Sequence, residues 1–365
     1  MKTVLIVIGK LTVGGAERVG FQIGNLADSR QFQIDYLVFG PEQGAYEAPL
    51  LEKGCRIWHL DPPAADHRAF LRALKRLILE NHYDVVHSHT MFNSGLVLWA
   101  AKRCGVPIRI AHSHSIRTPG RRGLRKTAYE RAMRHMILHS ATHFIGCGQA
   151  AGEWLYGADF FREKGILLLN GIELERFRFD SSHRAALRQA LGWEDCFVLG
   201  HAGHLAPVKN QAFLIRLMPV LLKRRPETKL LLMGDGDDRP MLEALVQELA
   251  LEQSVLLPGN VSNVNEYLSA LDLFLFPSLY EGMPLSILEA QANGLPCLLS
   301  DRVPRDVILT DLPRALSLEA PSAWIEAALM AHRDDKPERY ADQLAAQGFD
   351  VTSMVESLYK IYSGG

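Results

Sequence analysis

Residues 271–301, LDLFLFPSLYEGMPLSILEAQANGLPCLLSD, constrain the fold more than any other stretch of this chain. The apolar run 273–276 is short and has no polar alternation, the pattern of a strand buried on both faces. A loop over residues 277–283 follows, and Pro284 fits the first turn of a helix, where a missing N–H costs nothing. That helix is expected to run to about Asn293, where Gly294 and Pro296 stop it, and residues 296–300 start a second buried strand. Buried strands alternating with helices need helices over both faces of a parallel sheet.

The same unit places two carboxylates eight residues apart, Glu281 in the loop and Glu289 one turn into the helix. Free N–H groups from Met283 to Ser286 and the helix dipole favour a phosphate at this end. Glu289 is suited to a ribose diol, and Glu281 would lie near whatever the phosphate carries. The competing reading of the spacing alone is a solvated loop acid and a glutamate on a helix face.

A length of 365 residues suits two domains rather than one core. The first nine residues are too short for a leader and read as a first strand running into a glycine loop. No apolar run approaches the roughly 20 residues that cross a bilayer. Five scattered cysteines without C-x-x-C spacing suggest neither a disulfide framework nor a zinc site, and fit a reducing cytoplasm. The net charge of −1 hides an asymmetry: residues 1–170 carry 22 Lys and Arg against 14 Asp and Glu, residues 171–365 carry 18 against 27. A basic half joined to an acidic half bears on partners rather than on fold.

In the first half, strands are expected at residues 3–9, 33–39, 56–60, 85–88, 108–112, 143–147 and 166–172, with helices between them. The loop 10–17 contains Gly14 and Gly15 but not G-x-G-x-x-G, so a dinucleotide fingerprint is absent. Gly15 is a candidate for closing over a phosphate or sugar, and a plain tight turn is the alternative. Two strand ends are rich in histidine, His87-Ser-His89 and His112-Ser-His114. Residues i and i+2 of an extended segment share a face, which raises the question of a metal. With no cysteine or acid beside them, the expectation is no metal. His112 is the first choice for contacting substrate or carrying a proton, and His87 is expected to be a packed, hydrogen-bonded histidine.

Residues 117–139 interleave Arg117, Arg121, Arg122, Arg125, Lys126, Arg131 and Arg134 with Leu124, Ala128, Tyr129, Met133, Met136 and Ile137. This pattern fits a basic amphipathic helix on an anionic membrane and equally a solvated helix packing one face inward. No nucleic-acid-binding module is recognisable.

Residues 173–184 are charged and aperiodic, so the domain boundary is placed at 172/173. The second half repeats the alternation, with strands at residues 197–203, 229–233, 255–257, 273–276 and 296–300. Lys209, behind the first of these and just before a helix, is well placed to neutralise a phosphate. Asp235 and Asp237 form a D-x-D, a spacing used for divalent cations. A polar turn between strand and helix needs such residues anyway. Residues 324–346 are helical by pattern, and a last amphipathic segment covers 351–362. The expected division is an N-terminal domain 1–172, a C-terminal domain 173–345 and a crossover helix in 346–365.

Taken together, the chain resembles the family-4 retaining glycosyltransferases of GT-B fold, within them the bacterial capsular and exopolysaccharide enzymes. The similarity rests on Glu281-Gly-Met-Pro-Leu-Ser-Ile-Leu-Glu289 continuing to Ala290, Gly294 and Pro296. Gly14-Gly15-Ala16-Glu17, Asn170-Gly171-Ile172, Lys209-Asn210 and Gly234-Asp235-Gly236 stand in the family's order. Residues 141–147, Ala150-Ala151-Gly152 and Leu155-Tyr156-Gly157 look like the polysaccharide branch.

The resemblance implies an α/β fold of two doubly wound, Rossmann-like parallel-sheet domains facing a cleft, with C-terminal helices crossing back. It implies that Glu289 binds the ribose, that Glu281 with Gly282 meets the donor sugar, and that Lys209 and the backbone of Met283, Pro284 and Leu285 hold the diphosphate. Asn260 and Val261 would meet the base, and His112 would hold the sugar-contacting position. His204 stands where many relatives have an arginine, so leaving-group stabilisation there needs a protonated imidazole or does without that charge.

The implied activity is transfer of a hexosyl or N-acetylhexosaminyl group from a UDP-sugar, without cofactor or metal, to a glycan or a polyprenyl-diphosphate-linked acceptor. The implied location is cytoplasmic, peripheral on the inner face of the membrane. A UDP-sugar 2-epimerase of the same fold would epimerise its sugar without acceptor. A non-catalytic nucleotide-sugar-binding regulator would bind donor without turnover.

Overall fold

The computed structural model describes residues 1–12, 14–115 and 123–364. They form two units, one of Met1–Gly171 with Val351–Gly365 and the other of Ile172–Asp350.

Among the described residues of the first unit, seven strands form one sheet: β1 (Lys2–Val7), β2 (Phe32–Phe39), β3 (Arg56–Leu60), β4 (Val85–Ser88), β5 (Ile108–Ser113), β6 (His143–Gly146) and β7 (Gly165–Leu167). Their order is β3-β2-β1-β4-β5-β6-β7, and every pairing is parallel. Val4, Leu5, Ile6 and Val7 are all buried, because helices cover both faces and a parallel strand then has no solvent side. The two faces bury separate clusters. One contains Leu5, Val7, Leu37 and Val86. The other contains Val4, Ile6, Val85 and Ile110 together with Val351, Met354, Val355, Leu358 and Tyr362 of the helix Val351–Tyr362. That helix follows the second unit in the chain yet belongs to the core of the first.

In the second unit β8 (Phe197–Ala202), β9 (Thr228–Met233), β10 (Val255–Gly259), β11 (Leu273–Phe276), β12 (Cys297–Ser300) and β13 (Pro313–Leu316) lie in the order β10-β9-β8-β11-β12-β13. All are parallel. Both sheets are wound outward in two directions from their first strand, so strand order reverses between β1 and β4 and again between β8 and β11. Ligands of such sheets sit beyond the carboxyl ends of the strands at these two places.

Several expectations need correction. Pro284 is not in the helix: it precedes Leu285–Ala292 with ψ 109°, and its carbonyl accepts the Ile287 N–H at 3.2 Å. The segment read as aperiodic around residue 180 contains the helix Ser181–Leu191, capped by the Asp180 carboxylate, which accepts from Ser182 and His183 N–H. The pattern 324–346 is two helices, Pro321–Leu329 and Arg339–Ala346, because Pro337 removes a donor between them. The edge strand β13 was not anticipated. Pro313 at its first position is where an edge strand tolerates a proline.

Of the basic stretch, Arg117, Arg121 and Arg122 lie outside the described residues. The rest forms the helix Leu124–Ser140, and its later apolar side chains are used inside the fold. Met133 and Ile137 are core, and Tyr129 and Met136 pack against them. Arg134 donates to the carbonyls of Leu155 and Trp154. Leu124 is 90% exposed, and Arg125, Lys126 and Arg131 are exposed.

Candidate functional site

At the β8/β11 reversal two loops meet. The loop after β8 holds His204 and Lys209, and the loop after β11 holds Glu281, Gly282 and Met283. The Leu279 N–H donates to the Val208 carbonyl at 2.8 Å, and the Asn210 side-chain amide donates to Pro277 O at 3.3 Å. These ties bring the Lys209 ammonium to 2.7 Å from a Glu281 oxygen, with both side chains mostly buried, and set the cation 5.2 Å from the Phe276 ring centroid. Lys209 and Glu281, candidates for separate reasons in the sequence, are therefore one ion pair.

Beyond Glu281 the chain turns into the helix Leu285–Ala292. The backbone N–H groups of Gly282, Met283, Leu285 and Ser286 have no backbone acceptor among the described residues, as the first N–H groups of a helix require a partner from outside it. Glu289 lies one turn in and is 4% exposed. The site thus combines a cation, a row of N–H donors at a helix N-terminus and two carboxylates, a set that can hold an anion with polar groups attached on either side.

Two glycines shape the neighbouring loop. Gly234 has φ +130°, and a Cβ there would lie 2.1 Å from the Gly203 carbonyl oxygen; at Gly236, φ +158°, it would lie 2.3 Å from Leu205 O and 2.7 Å from the His204 ring. The Gly234 N–H donates to Gly259 O at 2.8 Å, which holds the end of β9 against the turn carrying Asn260 and Val261. Gly234→Ala should therefore displace the β8 and β9 loops together. We expect a stability loss of about 1–3 kcal/mol by urea titration, within the usual range for strained backbone; an unchanged midpoint would show that the loops give way freely.

His201, Gln211 and Ser278 went unnoticed in the sequence. His201 Nδ1 donates to Leu275 O at 2.9 Å, leaving Nε2 to accept from the Gln211 amide at 3.4 Å. The same amide nitrogen donates to His204 O at 3.0 Å. Burial pushes His201 down to about 4, so it is neutral at pH 7. Gln211 Oε1 and Ser278 Oγ are buried with no partner among the described residues. The signal for them was position alone: His201 is near the end of β8, Ser278 follows β11, and Gln211 opens the helix Gln211–Arg224 after the β8 loop. His204 itself is exposed.

Asp235 accepts the Gly236 N–H at 2.8 Å and lies 3.9 Å from Arg239. Among the described residues, Asp235 and Asp237 belong to no group of three or more ligating side chains able to share an ion.

In the first unit, Gly14 is extended and Gly15 opens the helix Gly15–Asn25 at the carboxyl end of β1, with nothing within 4 Å of a Cβ built on Gly15. Glu17 folds back over Gly14, and burial raises its carboxyl above the ordinary value. At the adjacent strand ends, His87, His89, His112 and His114 come together. His87 is hydrogen-bonded through both nitrogens, Nδ1 to Tyr362 Oη at 2.7 Å and Nε2 to His112 Nδ1 at 3.2 Å. His112, 0% exposed, keeps Nε2 without a partner among the described residues.

The chain matches two family models, "Glycosyltransferase Family 4" over residues 13–176 and "Glycosyl transferases group 1" over residues 183–338. It is 33% identical over 370 residues to the putative glycosyltransferase EpsF of Bacillus subtilis, covering 99% of this chain and 96% of that one. It is 27% identical over 303 residues to the UDP-Gal:alpha-D-GlcNAc-diphosphoundecaprenol alpha-1,3-galactosyltransferase of Escherichia coli, covering 79% and 76%. In fold it is similar to the crystal structure of Anabaena HepE in complex with UDP-glucose, with a TM-score of 0.82 over the whole of both chains at 20% identity.

Proposed function

This chain belongs to the family-4 glycosyltransferases of GT-B fold, and from that premise we propose that it moves a hexosyl or N-acetylhexosaminyl group from a UDP-sugar to a lipid-linked glycan in cell-surface polysaccharide synthesis, with retention. The observation that carries the reading is the Lys209–Glu281 pair at 2.7 Å, set before the N–H groups that open the helix Leu285–Ala292 and have no backbone acceptor among the described residues.

In this mechanism the diphosphate lies on the N–H groups of Met283, Leu285 and Ser286 and takes Lys209 from Glu281. Charge develops on the diphosphate as the sugar–phosphate bond breaks, and these fixed donors stabilise it more in the transition state than in the ground state. The cation demand is met by Lys209 and the helix end, so no metal takes part in this step. Glu281, released from Lys209, turns its carboxylate to the sugar hydroxyls, and Glu289 accepts from the ribose. Asn260 and Val261, on the turn joined to Gly234, meet the base. The family resemblance assigns Gly15 to donor binding and His112 to the sugar.

Retention follows from the leaving phosphate accepting the acceptor proton on the face it departs from. With the departing phosphate taking that proton, no carboxylate nucleophile is required, and Glu281 is not assigned as one. A uridine donor and a lipid-linked acceptor are supported by what the E. coli relative is named for. Among the described residues no helix is long and apolar enough to cross a membrane. The exposed Leu124, Arg125, Lys126 and Arg131 support peripheral contact with an anionic inner leaflet.

A thermal-shift screen of UDP-, GDP- and ADP-sugars tests the donor. UDP-sugars should raise the melting temperature of the wild type and leave that of Glu289→Ala unchanged. A larger response to GDP- or ADP-sugars would overturn the uridine assignment, and no response to any would overturn the donor site itself.

A further inference from the structure

The histidine cluster of the first unit carries more hydrogen-bonding capacity than the fold uses. β4 and β5 are adjacent and parallel, with His87 opposite Ile110 and Ser88 opposite Ala111, so the register sets His89 opposite His112. The rings of His87 and His112 are stacked at 5.3 Å, those of His89 and His114 at 4.9 Å, and His112 and His114 lie 4.0 Å apart. Besides the two contacts of His87, His89 Nδ1 lies 2.7 Å from His114 Nε2. Three buried nitrogens remain without a partner among the described residues: His89 Nε2, His112 Nε2 and His114 Nδ1. A buried polar atom left unpaired is costly, and native folds rarely concentrate several in one place without a water or ion to serve them.

We propose that His87, His89 and His112 hold a late first-row divalent metal ion of the zinc, cobalt or nickel type. One nitrogen from each of the three lies within 4.8 Å of the others. Tetrahedral metal–nitrogen bonds of about 2.0–2.1 Å separate neighbouring ligand atoms by about 3.3 Å, close to the 3.2 Å between His87 Nε2 and His112 Nδ1. His89 needs to close in by up to about 1.5 Å to complete such a set.

The outer partners fit this use. An N–H from His87 Nδ1 to the Tyr362 oxygen leaves the Nε2 lone pair for the ion, and one from His89 Nδ1 to His114 leaves the Nε2 lone pair of His89. Coordination through His112 Nδ1 in turn places its proton on Nε2, making that nitrogen a fixed N–H donor. No cysteine or carboxylate enters the group, and an all-imidazole donor set favours zinc, cobalt, nickel or copper over magnesium and calcium. The sequence argued against a metal because no cysteine or acid stands beside either pair. The fold instead brings a third histidine from the other pair. This ion is independent of the chemistry proposed at the diphosphate.

The test uses the full chain without a polyhistidine tag, stripped with a chelator and titrated with Co2+ and Zn2+. One Co2+ per chain should bind with the intense visible absorption of a tetrahedral site, and Zn2+ should bleach it; Mg2+ should do neither. The double variant His87→Gln/His89→Gln should weaken binding at least about tenfold, the scale seen for perturbed metal sites. The variant His135→Gln/His139→Gln, which removes the exposed pair on the helix Leu124–Ser140, should change nothing. Absence of stoichiometric binding, or loss of binding in the exposed-pair variant, overturns the proposal. Because the double variant removes buried groups, ring-nitrogen NMR of histidine-labelled wild type with and without Zn2+ gives a second reading. Shifts at His87, His89 and His112 support the site, and shifts confined to His135 and His139 or to none overturn it.

Discussion

Replacing Lys209 by alanine should lower the rate of nucleotide release from the donor by about 10²–10³-fold, the equivalent of about 3–4 kcal/mol for loss of one preorganised group at a developing oxyanion. Two effects add. The ammonium that meets the leaving phosphate is gone, and Glu281, whose oxygen lies 2.7 Å from it, is left as an uncompensated carboxylate facing an anionic donor. The double variant Lys209→Ala/Glu281→Gln separates them. If repulsion dominates, removing the Glu281 charge restores part of the rate; if the ammonium dominates, the double variant is no better than the single one. A loss below about tenfold in Lys209→Ala, measured with the fold intact by circular dichroism, would remove Lys209 from the chemistry.

The largest stability effect is expected at Asp272, at the opposite ends of the strands. Its carboxylate receives Arg184 Nη2 at 2.5 Å, Arg188 Nη2 at 2.6 Å and the Val198 N–H at 2.8 Å. Close by, the half-buried Arg333 donates to the carbonyls of Leu268, Leu271 and Asn293, and desolvation with the neighbouring Arg184 brings its guanidinium down to about 9. A single carboxylate thus balances three guanidinium groups. Asp272→Ala leaves them to repel one another in a poorly solvated site, and breaking a buried pair from one side typically costs about 3–5 kcal/mol. Hydrogen exchange of the β8 and β11 amides reads this unit by itself, and those amides should exchange about 10²–10⁴ times faster in the variant. An effect under tenfold would mean that the arginine–carbonyl bonds suffice.

The sign of the pH dependence follows. Burial alone would raise the Asp272 carboxyl, but the Val198 N–H and Arg184 outweigh it and hold the group below its ordinary value. Its contribution is then fully present above about pH 4 and is lost as pH falls through the lowered value. The difference between wild type and Asp272→Ala should shrink in acid.

The proposed donor region was legible to the extent that its chemistry is local. Glu281, Pro284 and Glu289 lie in one loop–helix unit, so the sequence put one acid before and one beyond a helix start, with a solvated loop acid and a helix-face glutamate as the competing reading. The Lys209–Glu281 pair was not legible, because it joins residues 72 apart through the adjacency of β8 and β11, a property of strand order. The histidines show the same limit. Each H-S-H pair is visible in the sequence, but their convergence depends on β4 lying beside β5. The Asp272 cluster was missed for a different reason. Arg333 sits in a stretch whose apolar period looked continuous from 324 to 346, and Pro337 was the signal that a break had to occur there, which leaves Arg333 free to turn toward the carbonyls of Leu268, Leu271 and Asn293.

The helix Val351–Tyr362 has a consequence for how the molecule is made. Its apolar face completes one of the two cores of the first unit, and Tyr362 reaches His87 across 275 residues of sequence. All of Ile172–Asp350 lies between. During synthesis the second unit is therefore whole before the first can close, so the nascent first unit must wait with one apolar face only partly covered, by residues such as Val19, Ile23 and Leu50, while the second one folds. That waiting state is where chaperone capture and aggregation would compete with maturation.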